Sequence, residues 1–278
     1  MLVSILITNY NKAPFLHEAI SSCLNQKFDN FEVLLIDDGS TDDSLEIIKS
    51  FSEVEDFNFI LNSNQGVIKT RNEGIKACKG QFILQLDGDD KIGEDFLKLT
   101  VPVLENDENV GIVYCNTSFF GAKKGVWNLG EFSIEKQLRT NQIVITALFR
   151  KADFLNTEGY SHKFDKGYED WDFWMSILEL KRTVVKIESV QFYYRILSDS
   201  RNIGISAATE RELKYSIWEN HKSLYDSIDL NPVNLLWDLE QLKSENKDLT
   251  VKVNSIDFKL GNKILSIPRF FKKLIKNK

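Results

Sequence analysis

The chain has 278 residues, 42% hydrophobic and 27% charged, with a net charge of −6. That length can bury one large core or two smaller ones, and the composition excludes general disorder. The acidic balance argues against nucleic acid as a partner.

The first predicted element is the apolar, β-branched run Leu2 to Thr8, a buried strand. It lacks the basic flank and small-residue cleavage site of a signal peptide, so none is expected. Pro14 sits near a helix start, and Phe15, Leu16, Ala19, Ile20, Cys23 and Leu24 follow at helical spacing. "FEVLLID" is a second strand. It runs into "DDGSTDDS", where Gly39 permits a turn and Ser40 or Thr41 is expected to cap the helix "LEIIKSF". "FNFILN" is a third strand, "GVIKTRNEGIKAC" a third helix and "QFILQLD" a fourth strand. Alternation of this kind predicts a mainly parallel sheet with helices on its faces.

Ligands of such sheets sit beyond the carboxyl ends of the strands. Thr8, Asn9 and Tyr10, then Asp37 and Asp38, then Asp87, Gly88 and Asp89 all fall there. Either a solvated acidic turn or a divalent cation accounts for the last cluster. Neither G-x-G-x-x-G nor G-x-x-x-x-G-K-[ST] is present, and "DGDDKIGED" has Ile92 where an EF-hand needs Gly. Cys23, Cys78 and Cys115 lie far apart without zinc spacing, which predicts reduced thiols in a cytosolic protein. No apolar run reaches the roughly 20 residues needed to span a bilayer.

Four blocks in order, "VSILITNYNKAPFLHEAISSCLNQKF", "FEVLLIDDGSTDDS", "NQGVIKTRNEGIKACKGQFILQLDGDD" and "GYEDWDFWMSIL", resemble the family 2 glycosyltransferases. The resemblance runs from residue 3 to about residue 195. It implies a GT-A fold, Rossmann-like, with residues 1–100 binding a nucleotide sugar, 101–204 binding the acceptor, and 205–278 as a helical extension. It also implies roles. Thr8, Asn9 and Gly88 belong to the nucleotide-sugar site; Tyr10 lies against a uracil ring and Asp38 accepts from the base. Arg71 meets the pyrophosphate or base region, Asp87 the ribose, and Asp89 holds Mn²⁺ or Mg²⁺ against the phosphates. Hard cations of this kind prefer carboxylate and phosphate oxygens.

Asp90 either assists beside the metal or caps the next helix. Asp170, beside Glu169 in "YEDWDFW", is the implied catalytic base of an inverting displacement on a UDP-linked donor. Helical spacing turns Trp171, Trp174, Met175 and Leu178 toward the core. Leu197 stands where the family often carries a His near the metal or diphosphate, and Arg195 or Arg201 are the candidate substitutes. His17, His162 and His221 fall in no motif and are expected to be structural. A non-catalytic dimeric scaffold and another metal-dependent nucleotide enzyme are the competing readings.

From Ile205 the pattern is helical. Leu235, Leu242, Leu249 and Ile256 are seven apart, interleaved with Leu239, Asn246, Val253 and Leu260, an a/d seam that predicts self-association as a homodimer. The last stretch carries Lys263, Arg269, Lys272, Lys273, Lys276 and Lys278 and no acid, a charge of +6 against −12 for the rest. It predicts a basic amphipathic helix on an anionic membrane surface, at the inner face of the plasma membrane, and a lipid-linked glycan as acceptor.

Overall fold

The computed structural model describes residues 2–197, 206–228 and 232–255, without the side chains of 232–238. Contacts divide the chain into two units, Met1–Leu224 and Tyr225–Lys278.

In the first unit β1 (Val3–Asn9), α1 (Ala13–Leu24), β2 (Phe31–Asp37), α2 (Ser44–Ser50), β3 (Phe57–Leu61), α3 (Val67–Ala77) and β4 (Phe82–Asp87) alternate as expected. Every residue of β1 and β2 is buried, which is why both read as continuous apolar runs rather than alternating ones. Then follow β5 (Lys91–Ile92), α4 (Phe96–Asn106), β6 (Val110–Gly121), β7 (Gly125–Trp127), α5 (Ile134–Gln137), β8 (Leu148–Arg150), α6 (Lys151–Leu155), α7 (Glu169–Glu179), β9 (Thr183–Ile196) and α8 (Ala207–Asn220); α9 (Lys222–Ser227) contains the boundary after Leu224.

The strands form one sheet in the order β3-β2-β1-β4-β8-β6-β9-β5, with β7 on β6. β3, β2, β1 and β4 are parallel, as are β6 and β9; β8 runs antiparallel between β4 and β6. The architecture is the mixed α/β arrangement expected, with a mainly parallel sheet and flanking helices. One core runs along it from Val3 to Phe192, and Cys23, Cys78 and Cys115 are buried free thiols within that unit. α7 packs Trp171, Trp174, Met175 and Leu178 inward, with Phe173 edge-on to Phe149 at 5.2 Å.

One local expectation is corrected. Neither Ser40 nor Thr41 caps α2, whose N-cap is Asp43 without a side-chain cap bond. The Ser40 hydroxyl instead donates to Asp37 Oδ1 at 2.6 Å and accepts from Asn9 Nδ2 and Asn11 N–H. The turn after β2 is thus tied to the end of β1. Gly39, at φ +75°, makes it possible: a Cβ there would lie 2.6 Å from the backbone N of Asn64.

The second unit contains α10 (Pro232–Asn254), with Leu239, Leu242, Leu249 and Val253 exposed. Ile256, Leu260 and the basic stretch from Lys263 lie outside the described residues. No described helix is long and apolar enough to cross a membrane.

Candidate active site

Strand register assembles the site. Asn9 pairs with Asp37 across β1 and β2, and Thr8 with Asp87 across β1 and β4, so three strands end at one level. Gly88 N–H donates to Thr8 O at 2.9 Å, and Asp38 N–H to Asn9 O at 2.8 Å, carrying the pairing one residue past each strand. Gly88 must lack a side chain, because a Cβ would stand 2.7 Å from Asn9 Oδ1. Beyond these ends opens a cleft of about 980 Å³. Thr8, Asn9, Tyr10, Asp38, Arg71, Asp87, Gly88, Asp89, Glu169, Asp170 and Arg195 all line it. Asp90 does not, and Arg201 lies outside the described residues.

The polar residues divide between framework and open groups. Thr8 Oγ1 donates to Asp87 Oδ1 at 3.2 Å, and Asn9 Nδ2 to Asp37 Oδ1 at 2.7 Å. Asp38 is buried and accepts from the N–H groups of Gln65 and Gly66, both at 2.9 Å, which fixes the loop before α3. Tyr10 is the open one: 46% exposed at the rim.

Arg71 ties the two acidic motifs together. Its side chain is 2% exposed; Nη2 donates to Asp87 Oδ1 at 2.8 Å and Nη1 to Glu169 Oε1 at 2.7 Å. Burial disfavours the guanidinium's charge, but Asp87 and Glu169 outweigh burial and hold it firmly protonated. Glu169 and Asp170 reach this place because Gly167 and Tyr168 have φ of +128° and +70°, which turns the chain sharply into the first turn of α7. Three acids in that turn suit the helix dipole.

Asp170 is poised differently. Burial first, and then the charge of Glu169, push its carboxyl up to about 7, against the pull of Arg71. Its Oδ2 accepts from Asn141 Nδ2 at 3.0 Å, while Gln137 Nε2 donates to Asn141 Oδ1 at 3.0 Å. Trp171 Nε1 donates to Gln137 O at 2.8 Å, so the α5 segment and α7 orient this carboxylate together. A carboxyl that titrates near neutrality on a cleft wall has the properties of a general base.

On the other wall Lys12 Nζ lies 2.6 Å from Asp89 Oδ2. Asp90 is buried, with Oδ1 accepting from Arg195 N–H at 2.7 Å and Oδ2 unpartnered among the described residues. Burial and then the charges of Asp89 and Asp87 raise its carboxyl well above the usual range. The capping alternative for Asp90 is excluded, since the N-cap of α4 is Asp95. Arg195 props this acidic turn from below. Its Nε donates to Asp89 O at 2.7 Å, and its guanidinium is sandwiched between Phe15 at 4.4 Å and Phe120 at 4.1 Å.

Among the described residues no three His, Cys, Asp or Glu side chains form a metal cage. A hard cation held by one or two carboxylates and completed by phosphate oxygens needs none. Asp89 fits that role: its oxygen already faces a cation, the Lys12 ammonium. His17, His162 and His221 do not line the cleft. His221 is structural, with Nε2 3.0 Å from Asp172 Oδ1.

The model of glycosyl transferase family 2 matches residues 4–165, more than half of the chain. The chain belongs to glycosyl transferase family 2. Similar proteins include an uncharacterized glycosyltransferase of Haemophilus influenzae, 28% identical over 237 residues, covering 78% of this chain and 85% of that one. The chondroitin synthase of Escherichia coli is 28% identical over 184 residues, 64% of this chain but 27% of its own length. Staphylococcus aureus TarS 1–349, solved with UDP-GlcNAc, shares the fold at TM-score 0.65 and 19% identity, covering 82% of this chain and 73% of that one. A Pyrobaculum calidifontis mannosyltransferase solved with GDP-Man and Mn²⁺ superposes at TM-score 0.56 and 12% identity, covering 95% and 84%. The GT-A-like family 2 fold is therefore the one predicted.

Sequence reading missed Lys12, Asn141, Tyr194 and Trp127, which also line the cleft. Lys12 directly follows "TNYN" and was there to be noticed. Asn141 and Trp127 carried no signal, because their place depends on how β6, β7 and α5 fold back.

Proposed function

We propose that the chain is an inverting glycosyltransferase of polysaccharide synthesis. It moves a sugar from a nucleotide sugar, UDP-linked by preference, to an acceptor hydroxyl. The observation that carries this is the Arg71 bridge, which brings the Asp87-Gly88-Asp89 turn and the Glu169-Asp170 pair to one cleft. Similarity to a chondroitin synthase, and the nucleotide sugars bound by the similar TarS and mannosyltransferase structures, support the same reading.

In this reading Tyr10 offers its exposed ring to the base, and Asp38 and Asp87 direct the nucleoside. Mn²⁺ or Mg²⁺ held by Asp89 supplies positive charge for the departing diphosphate. Asp170 takes the acceptor's proton as the acceptor oxygen attacks the anomeric carbon from the face opposite the diphosphate. One carbon–oxygen bond forms, the bond to the phosphate oxygen breaks with its electron pair, and the centre inverts. Residues 1–100 serve the donor and 101–204 the acceptor.

The segment 205–278 serves association. Exposure of Leu239, Leu242, Leu249 and Val253 on α10 supports pairing with a second copy, in which Asn246 sets the register. The basic tail places the enzyme on anionic lipid, near a lipid-linked acceptor.

The test is thermal stabilisation by a panel of nucleotide sugars, with and without Mn²⁺. A ligand at tenfold over its Kd stabilises by about 1.4 kcal/mol. A UDP-sugar should give the largest shift, and mainly with Mn²⁺; a panel without response in either condition would refute the reading.

A further inference from the structure

A second, smaller cavity adjoins the cleft. It has a volume of about 370 Å³, and Trp127, Leu129, Lys136, Arg139, Asn141 and Gln142 are among its walls. Trp127, Leu129 and Asn141 also line the large cleft, so the two spaces meet there. Asn141 is the residue that bonds Asp170. Whatever occupies the small cavity therefore lies one residue's width from the proposed base.

Its lining differs from that of the main cleft, where acids and cations are mixed and Lys12 and Arg71 pair with Asp89, Asp87 and Glu169. The large cleft is edged by Asp38, Asp87, Asp89, Glu169 and Asp170. No carboxylate lines the small one, while two cations do. Arg139 feels the charge of Glu135 but, like Lys136, forms no close ion pair among the described residues; Lys136 Nζ meets the carbonyl oxygen of Glu131 at 3.3 Å. Two such positive groups facing a concavity lined by no carboxylate attract an anion.

The wall between the spaces is a rigid aromatic face. Trp127 stacks on Phe119 at 5.2 Å with the planes 23° apart, and Tyr194 closes against it at 6.0 Å. A ring braced in this way offers a flat apolar surface to the apolar face of a pyranose, and nearby amides supply hydrogen bonds.

We infer that this cavity is an acceptor subsite for an anionic glycan: Trp127 carries a sugar ring, while Arg139 and Lys136 bind a carboxylate or phosphate on the neighbouring unit. The inference rests on the glycosyltransferase reading and deepens it by naming the acceptor class. A uronate and a phosphodiester would both satisfy the two cations, and the experiment separates them.

Three probes are titrated into the full-length protein by calorimetry at low salt: a tetrasaccharide with a uronate in every second unit, a glycerol-phosphate trimer, and a neutral tetrasaccharide of N-acetylglucosamine. One anionic probe should bind at least tenfold more tightly than the neutral one, and which it is identifies the anion. Replacing both cations, Arg139→Gln with Lys136→Gln, should remove that preference, at roughly tenfold per cation. Both side chains are exposed, so the fold tolerates the change. Arg139→Glu, the second variant, should weaken the anionic probe further and spare the neutral one. Trp127→Ala should weaken all three. Equal binding of the probes, no binding of either anion at 10-fold millimolar excess, or a preference that survives in the double variant would overturn the inference. The wild-type response to UDP-sugar with Mn²⁺ is measured alongside. A missing donor response strikes the glycosyltransferase reading; a donor response without anion preference strikes the subsite alone.

Discussion

Arg71 and Glu169 stand 98 positions apart in sequence and 2.7 Å apart in space, and the same guanidinium holds Asp87. One buried cation thus fixes the distance between the two acidic motifs of the cleft.

Removing that cation should be costly. Arg71→Met takes from Asp87 and Glu169 the cation they share, a loss of about 3 kcal/mol. Arg71→Lys should recover only part of it, because a single ammonium cannot satisfy both carboxylates in the guanidinium's fork geometry. Urea unfolding of the two variants checks the order; equal stability of Arg71→Met and wild type would contradict it.

The Asp170 carboxyl, pushed up to about 7, sets a pH profile. A base must be ionised to accept a proton, so turnover should fall about tenfold per pH unit below that value and level off above it. Initial rates between pH 5 and 9 at saturating donor measure this. A profile flat from pH 5 upward would remove Asp170 from the role.

Lys12 competes for the oxygen that would hold a divalent cation. With Lys12→Met, Mn²⁺ should bind the nucleotide-free protein severalfold more tightly, on the order of 1 kcal/mol given the partial exposure of the pair. Electron paramagnetic resonance titration of free Mn²⁺ reads it directly. Weaker Mn²⁺ binding in the variant would show that Asp89 is not the ligand.

His221 binds α8 to α7 through Asp172. Burial opposes its charge, but the bond to Asp172 and the nearby charge of Glu179 win, so its folded-state value lies above the ordinary 6.5. The stability it contributes is therefore full below about 6.5 and is lost as pH rises through the folded value. His221→Gln should lower the melting temperature more at pH 5.5 than at pH 9. An equal loss at both would mean that packing alone matters.

The first half of the fold was legible because its chemistry is local. Val3–Asn9, Phe31–Asp37 and Phe82–Asp87 are buried on both faces, so each announces itself as an unbroken apolar run ending in polar residues. β8, by contrast, is three residues wedged antiparallel between β4 and β6, and nothing in "LFR" encodes that neighbour choice. Ser40 was misread for a related reason. A hydroxyl after a strand can cap a helix or cross-link strand ends, and only the position of Asn9 decides which. The acidic turn and the Glu169-Asp170 pair were visible as motifs, whereas their joint anchor on Arg71 is a property of tertiary packing.

The central claim is that one cleft binds a nucleotide sugar and that Asp170 does the chemistry there. Its most direct test is release of UDP from a UDP-sugar with Mn²⁺, measured beside donor affinity for wild type and Asp170→Asn. The account predicts a donor affinity for the variant within about threefold of wild type and a rate at least 100-fold lower. A variant that turns over at the wild-type rate, or a wild type that neither binds nor cleaves any UDP-sugar, would contradict it.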